Sequence, residues 1–151
     1  MTDQELEDIL KEHCLWLDSN GNKGKIANLR GVDLRRENFK AVDLRNVNLE
    51  EVDLRRADLS ESDLKGANLK GADLRKVNLK GTNLKGANLM RTNLREADLR
   101  GANLEGCYVS PGTKILGNML ITEYYDKYPS FWIVKSWVEL DEEGLGKELY
   151  K

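Results

Sequence analysis

The chain has 151 residues, one third of them charged, yet its formal net charge is only -2. That length suits one domain with a modest core, and charges so evenly mixed argue against a massed basic nucleic-acid surface or an acidic tail. No apolar run approaches the ~18 residues of a membrane span, and the acidic start MTDQELEDILKEH lacks a basic-then-apolar signal pattern, so a cytoplasmic location and no membrane contact are expected.

The first element is a helix over residues 2–17, inside an N-terminal helical cap and linker of residues 1–26. Thr2 and Glu5 have capping-box spacing, and Leu6, Ile9, Leu10, Cys14 and Leu17 recur at helical intervals as one apolar stripe. The segment DSNG, Asp18 to Gly21, stops the helix. His13, the only histidine, lies beside the stripe and is expected on the cap surface rather than in a catalytic role. GNKGK, Gly21 to Lys25, lacks phosphate-loop spacing and reads as a linker. Cys14 and Cys107 have no partner motif and are expected as small buried thiols, not as a disulfide or metal site.

The second element is a repeat over residues 27–111. From Leu29 to Val109 a central apolar residue recurs every five positions; of 17 centres 15 are Leu, with Phe39 and Val109 the exceptions. The residue before the centre is Asp or Asn in all but one unit, where it is Tyr108. The residue two before is small or β-branched except at Glu37, where a local distortion or an outward-turned side chain is expected. Neither the helical period of 3.6 nor the strand period of 2 stays in phase with five over such a length. A period this strict implies a solenoid whose units bury their apolar positions by stacking. The Asp or Asn is suited to hydrogen-bonding turn backbone. Glycine at positions such as Gly31, Gly66 and Gly101 falls where a type II turn needs positive φ.

These units, as in ANLKG, ADLRK and ANLEG, resemble the pentapeptide-repeat family. The resemblance implies an all-β solenoid: a right-handed quadrilateral β-helix of about four coils, with four pentapeptides per coil. It also implies an N-terminal helical cap around LKEHCLWLDSNGNKGKIANL. The best-known functional branch of that family resembles DNA, an acidic dimeric rod that binds type II topoisomerases and protects them from quinolones.

With four units per coil, residues 20 apart stack along one face. One face then carries an arginine ladder, Arg35, Arg55, Arg75 and Arg95, flanked by Arg36, Arg56 and Lys76 and then Glu96. It is either a solvated face, with its arginines drawn to neighbouring Asp and Glu, or a docking strip for an acidic partner or nucleic-acid backbone. A second face stacks Asn28, Asn48, Asn68 and Asn88, able to exchange amide hydrogen bonds between coils.

The third element, residues 112–151, is an aromatic-rich cap and assembly segment. Seven of the ten aromatic residues lie after Pro111: Tyr124, Tyr125, Tyr128, Phe131, Trp132, Trp137 and Tyr150. YPSFWIVKSWVEL reads as a helix starting near Pro129–Ser130 with Phe131, Val134, Trp137 and Val138 on one face, a strand being the alternative for FWIVKSWVEL. ILGNMLITEYY is open between a short helix and an edge segment. Surplus aromatic surface beside a cap suggests self-association, and family members resemble this in dimerising through their C-terminal ends. A homodimer is expected.

An enzyme is not expected, because the sequence shows no metal-ligand spacing, no phosphate-binding loop and no nucleophile–base set; no cofactor is expected either. Residues 27–111 hold 16 Lys and Arg against 13 Asp and Glu. A DNA mimic needs a continuous negative surface, so that role is disfavoured. The small positive balance and the lack of aromatic stacking platforms in the repeat disfavour nucleic acid as the ligand. What remains is a rigid, non-catalytic scaffold for an unknown protein partner.

Overall fold

The computed structural model describes residues 1–110 in full, and the backbone of residues 119–121, 132–133, 137–140 and 146–148 beyond them. Helix α1, Asp3–Asp18, opens the chain. Its capping box is complete: Thr2 N–H donates to Glu5 Oε2 over 2.7 Å, and Glu5 N–H to Thr2 Oγ1 over 3.2 Å. Two orphan donors of the first turn are thereby satisfied. Leu6, Ile9 and Leu10 pack against the core of the repeat.

Two expectations about this helix are corrected. His13 is fully buried rather than on the surface, and Cys14 is exposed rather than buried. The stripe that meets the repeat runs Leu6, Ile9 and Leu10, then His13. Position 13 lies seven after Leu6, two helical turns on, whereas Cys14 is about 100° further around. The segment after the helix is also tighter than a linker. Lys25 N–H donates to Glu12 O over 3.1 Å, and a Cβ on Gly24, where φ is +70°, would stand 2.2 Å from that same oxygen. Glycine is there because the backbone of α1 leaves no room for a side chain.

From Ala27 the chain turns a corner every five residues. Each corner closes with a bond such as Val32 N–H to Leu29 O (3.2 Å). The Asp or Asn before each centre accepts from the backbone N–H two residues on, as Asn38 does from Lys40 (3.0 Å) and Asp63 from Lys65 (2.9 Å). Among the described residues, 13 parallel bridges join residue i to i+20, from Asn28↔Asn48 to Asn88↔Tyr108. Twenty residues therefore make one coil. Each face contributes single-residue bridges rather than long strands, because a chain bending every five residues has only its middle residue extended.

The core is a column of leucines. Leu54, Leu59, Leu64, Leu69, Leu74, Leu79 and Leu84 have no exposed surface, and Phe39 fills one centre in place of leucine. Burying each such side chain contributes roughly 1.5–3 kcal/mol relative to exposure. The inward polar residues have partners: Ser62 Oγ and Thr82 Oγ1 both donate to Leu59 O (2.6 and 2.7 Å), and Thr92 Oγ1 to Leu69 O (3.0 Å). Cys107 is buried, as expected, and burial pushes its thiol up to about 12. Of the two outcomes expected at Glu37, a local distortion or an outward-turned side chain, the backbone distortion is absent. Its N–H donates to Leu34 O and its carbonyl accepts from Asp58 N–H (2.9 Å), as at other corners, and the residue stays half-buried. Those bonds use backbone alone, so the ladder does not register the change of side chain.

The repeat ends in strand β1, Tyr108–Val109. Its antiparallel partner is β3, Trp132–Ile133, with Tyr108 opposite Ile133 and Val109 opposite Trp132. Strands β2 (Met119–Ile121), β4 (Trp137–Leu140) and β5 (Gly146–Glu148) form a second antiparallel sheet in the order β2-β4-β5. The helix expected from Pro129–Ser130 is corrected: Trp132–Ile133 and Trp137–Leu140 are strands. FWIVKSWVEL is rich in aromatic and β-branched residues, which lose χ1 freedom in a helix and pack well on a pleated sheet. Phe131 and Val134, also placed on that helix face, lie outside the described residues.

Candidate anion-binding face

On the face built around Leu34, Leu54, Leu74 and Leu94, the residue after each leucine is an arginine. Arg35 Nε donates to Asp33 Oδ1 over 2.7 Å, Arg55 Nε to Asp53 Oδ1 over 2.9 Å, and Arg75 Nε to Asp73 Oδ1 over 2.8 Å. In Arg55 and Arg75 a terminal nitrogen also donates to the other carboxylate oxygen, over 2.7 and 2.6 Å. These are two-pronged, charge-assisted pairs. Arg35 also stands 3.7 Å from Asp53, and Arg55 3.7 Å from Asp73, so the pairs form a staircase across coils. The hydrogen bond from Arg35 holds the Asp33 carboxyl down at about 2, and those from Arg55 and Arg75 lower Asp53 and Asp73. At Arg95 the staircase stops: Asn93 accepts only its backbone N–H, over 3.3 Å.

The next position along each corner carries a second column. Arg36, Arg56 and Lys76 have φ of 65°, 63° and 60°, followed by Glu96 at 58°. Lys76 pairs with Glu96 over 3.2 Å. Arg36 and Arg56 are exposed, and neither forms an ion pair among the described residues. The cause is competition. Each aspartate on this face already engages the arginine two residues on, which shares its own turn.

An open groove of about 950 Å³ follows these columns, lined by Asp33, Arg35, Arg36, Arg55, Arg56, Arg75, Lys76 and Glu96. Six of the seven cations expected on this face therefore meet at one groove, with two carboxylates among them; Arg95 does not line it. Of the assembly candidates, Tyr124, Tyr125, Tyr128 and Phe131 lie outside the described residues, while Trp132 and Trp137 belong to β3 and β4. The asparagine ladder is present from Asn28 to Asn68: Asn48 Nδ2 donates to Asn28 Oδ1 over 2.9 Å, and Asn68 Nδ2 to Asn48 Oδ1 over 3.3 Å. The burial of His13 was missed in the sequence, though its place two turns after Leu6 is a signal that points to it.

The model for pentapeptide repeats matches the chain in eight copies over residues 27–60, 38–75 and 72–110. The chain belongs to the pentapeptide-repeat family. Among solved structures it is similar to alr5209, a pentapeptide-repeat protein from Nostoc PCC 7120, at 30% identity and a TM-score of 0.61, over 70% of this chain and 82% of that one. It is also similar to HetL, a pentapeptide-repeat protein involved in heterocyst differentiation regulation in Nostoc sp. strain PCC 7120. That likeness has 31% identity and a TM-score of 0.55 over 62% of this chain, and spans only 44% of HetL. No curated protein matches the chain by sequence. Family and neighbours agree with the bridges and the leucine column on a right-handed quadrilateral β-helix.

Proposed function

We propose that this pentapeptide-repeat protein is a non-catalytic, rigid scaffold that docks an acidic segment of a partner protein on its arginine face. The observation that carries this reading is the groove itself, where six cations gather and the guanidinium groups of Arg36 and Arg56, one coil apart, have no carboxylate partner among the described residues. A protein ligand suits it better than nucleic acid. The column ends after two coils in the Lys76–Glu96 pair, whereas a nucleic-acid backbone is tracked by a continuous basic strip. A cytoplasmic setting fits the exposed free thiol of Cys14. Among the described residues no helix is long and apolar enough to cross a membrane.

The test compares the intact chain with an Arg36→Glu, Arg56→Glu variant of unchanged circular dichroism. The intact chain is expected to bind a polyglutamate peptide with a salt-sensitive affinity that the variant loses. Equal binding by both overturns the reading.

Assembly as a homodimer through residues 112–151 belongs to the same proposal. It is supported by the density of Trp, Tyr and Phe in that stretch, since large aromatic residues anchor interfaces with few rotatable bonds. Light scattering at tens of micromolar checks it, and a monomeric mass removes it.

A further inference from the structure

We propose that Arg36 and Arg56 together form a subsite for a phosphomonoester carried by the docked segment, an inference that rests on reading this face as a docking surface. Both side chains rise from corners whose backbone is pinned to the coil above: Arg36 N–H donates to Arg55 O and Arg56 N–H to Arg75 O, each over 3.1 Å. The two residues are one coil apart, at the ~4.8 Å spacing of paired strands. Among the described residues their guanidinium forks are not spent elsewhere, because Asp33, Asp53 and Asp73 engage the neighbouring column and Glu96 engages Lys76.

A second observation concerns backbone. Every corner of the repeat places its second residue after the leucine at positive φ, where glycine is most at ease. Three of the four faces use glycine there at least twice: Gly31 and Gly71 on one, Gly81 and Gly101 on another, Gly66, Gly86 and Gly106 on the third. The arginine face never does. Its corners are Arg36, Arg56, Lys76 and Glu96, long charged side chains kept at the cost of left-handed strain.

The ligand class follows from charge and shape. Two adjacent guanidinium groups offer two positive charges and two planar forks. A carboxylate brings one charge and satisfies one fork. A phosphomonoester carries about -1.5 to -2 at neutral pH with three acceptor oxygens, enough to engage both forks at once. A phosphodiester has a single charge, and would need a longer run of cations than this column supplies.

The experiment uses the full chain, labelled with ¹⁵N and observed at its arginine Nε–H signals. Three probes are titrated: a short glutamate-rich peptide with one central phosphoserine, the same peptide with serine, and inorganic phosphate. The phosphopeptide is expected to bind at least about fivefold tighter than the serine peptide. Arg36→Gln with Arg56→Gln removes that difference, whereas Arg95→Gln, which removes an arginine that lies outside the groove and has no ion pair among the described residues, leaves it. Inorganic phosphate shifting the same two signals at higher concentration supports a site for the group itself. Equal binding of the two peptides overturns the subsite while leaving the docking face standing; no binding of either overturns both. A preference that survives the double variant, or a single-stranded oligonucleotide of matched charge that competes as well as the phosphopeptide, also overturns it.

Discussion

Ala27, the residue with which the repeat begins, donates its backbone N–H to Nδ1 of His13 over 3.2 Å. The imidazole is fully buried, lies nearly parallel to Trp16 with centroids 6.2 Å apart, and leaves Nε2 without a partner among the described residues. Because Nδ1 accepts a hydrogen bond, the ring is neutral with its proton on Nε2. With the packing of Leu6, Ile9 and Leu10 against the core, this bond fastens helix α1 to the first coil.

The first prediction is that this fastening weakens in acid. Burial lowers the His13 pKa below the ordinary histidine value of 6.5, with Asp43 raising it and Arg45 lowering it more weakly. A base whose folded value is depressed is neutral in the folded state while the unfolded chain takes up a proton. Its contribution is complete above about 6.5 and is lost as pH falls below that toward the folded value. As the chain has a single histidine, its imidazole C–H signal in NMR needs no assignment. The expected midpoint lies below 6.5, with faster hydrogen exchange at Ala27 through the same range. A midpoint at or above 6.5 contradicts the buried neutral ring.

Most of the rod was legible because its rule is local. A leucine every five residues, with Asn or Asp before it, specifies corner, core and ladder together, and the i to i+20 bridges follow from repetition. The ends obey no such rule. His13 is buried by what it meets in the first coil, and Trp137–Leu140 became a strand because Met119–Ile121 and Gly146–Glu148 flank it. The arginine ladder was visible as a spacing. Which of its cations stay unpaired among the described residues depended on the reach from Arg35 to Asp33, which spacing alone does not state.

A charge placed on the axis should unfold the rod. Leu74 and Leu79 have no exposed surface, so Leu74→Lys or Leu79→Lys buries an ammonium with no counter-ion. The expected loss is about 4 kcal/mol, read from urea unfolding. Unchanged stability in either variant contradicts a stacked core.

The acid limit of the arginine staircase is a separate matter. Asp33 is held at about 2 by its hydrogen bond from Arg35, against an ordinary aspartate value of 3.8. A depressed carboxylate contributes above 3.8, and the contribution is lost as pH falls through the folded value. The ¹³C carboxyl signal of Asp33 should therefore titrate near 2, and Arg35→Gln should return it toward 3.8. Titration near 3.8 in the intact chain means that the pair does not persist in solution.

Inhibition of a bacterial gyrase is not expected. The repeat holds 16 cations against 13 carboxylates, and the groove on its arginine face is positive, the opposite of a duplex. Supercoiling assays at micromolar protein test this directly, and blocked supercoiling would show the charge argument to be wrong.

The left-handed corners give the most direct test of how the rod is strained. Ala41 holds φ of 57° and Gly86 holds 69° at equivalent corners on adjoining faces. A residue with Cβ costs roughly 1–2 kcal/mol in this region, while glycine costs about 0.5–1 kcal/mol in chain entropy. The difference favours glycine by a fraction of a kcal/mol up to about 1. Ala41→Gly is therefore expected to stabilise the rod by that amount, although it removes a methyl group and adds no contact. Gly86→Ala should destabilise it comparably, since nothing lies within 4 Å of the added Cβ and only backbone strain is introduced. Gly66→Ala serves as the contrast, because its Cβ would come 2.5 Å from Asn46 Oδ1 and force that side chain to move. It should cost more than Gly86→Ala. Urea midpoints of the three variants decide the matter: if Ala41→Gly destabilises, the corners are relaxed by their stacked neighbours, and strain is not what separates glycine from alanine there.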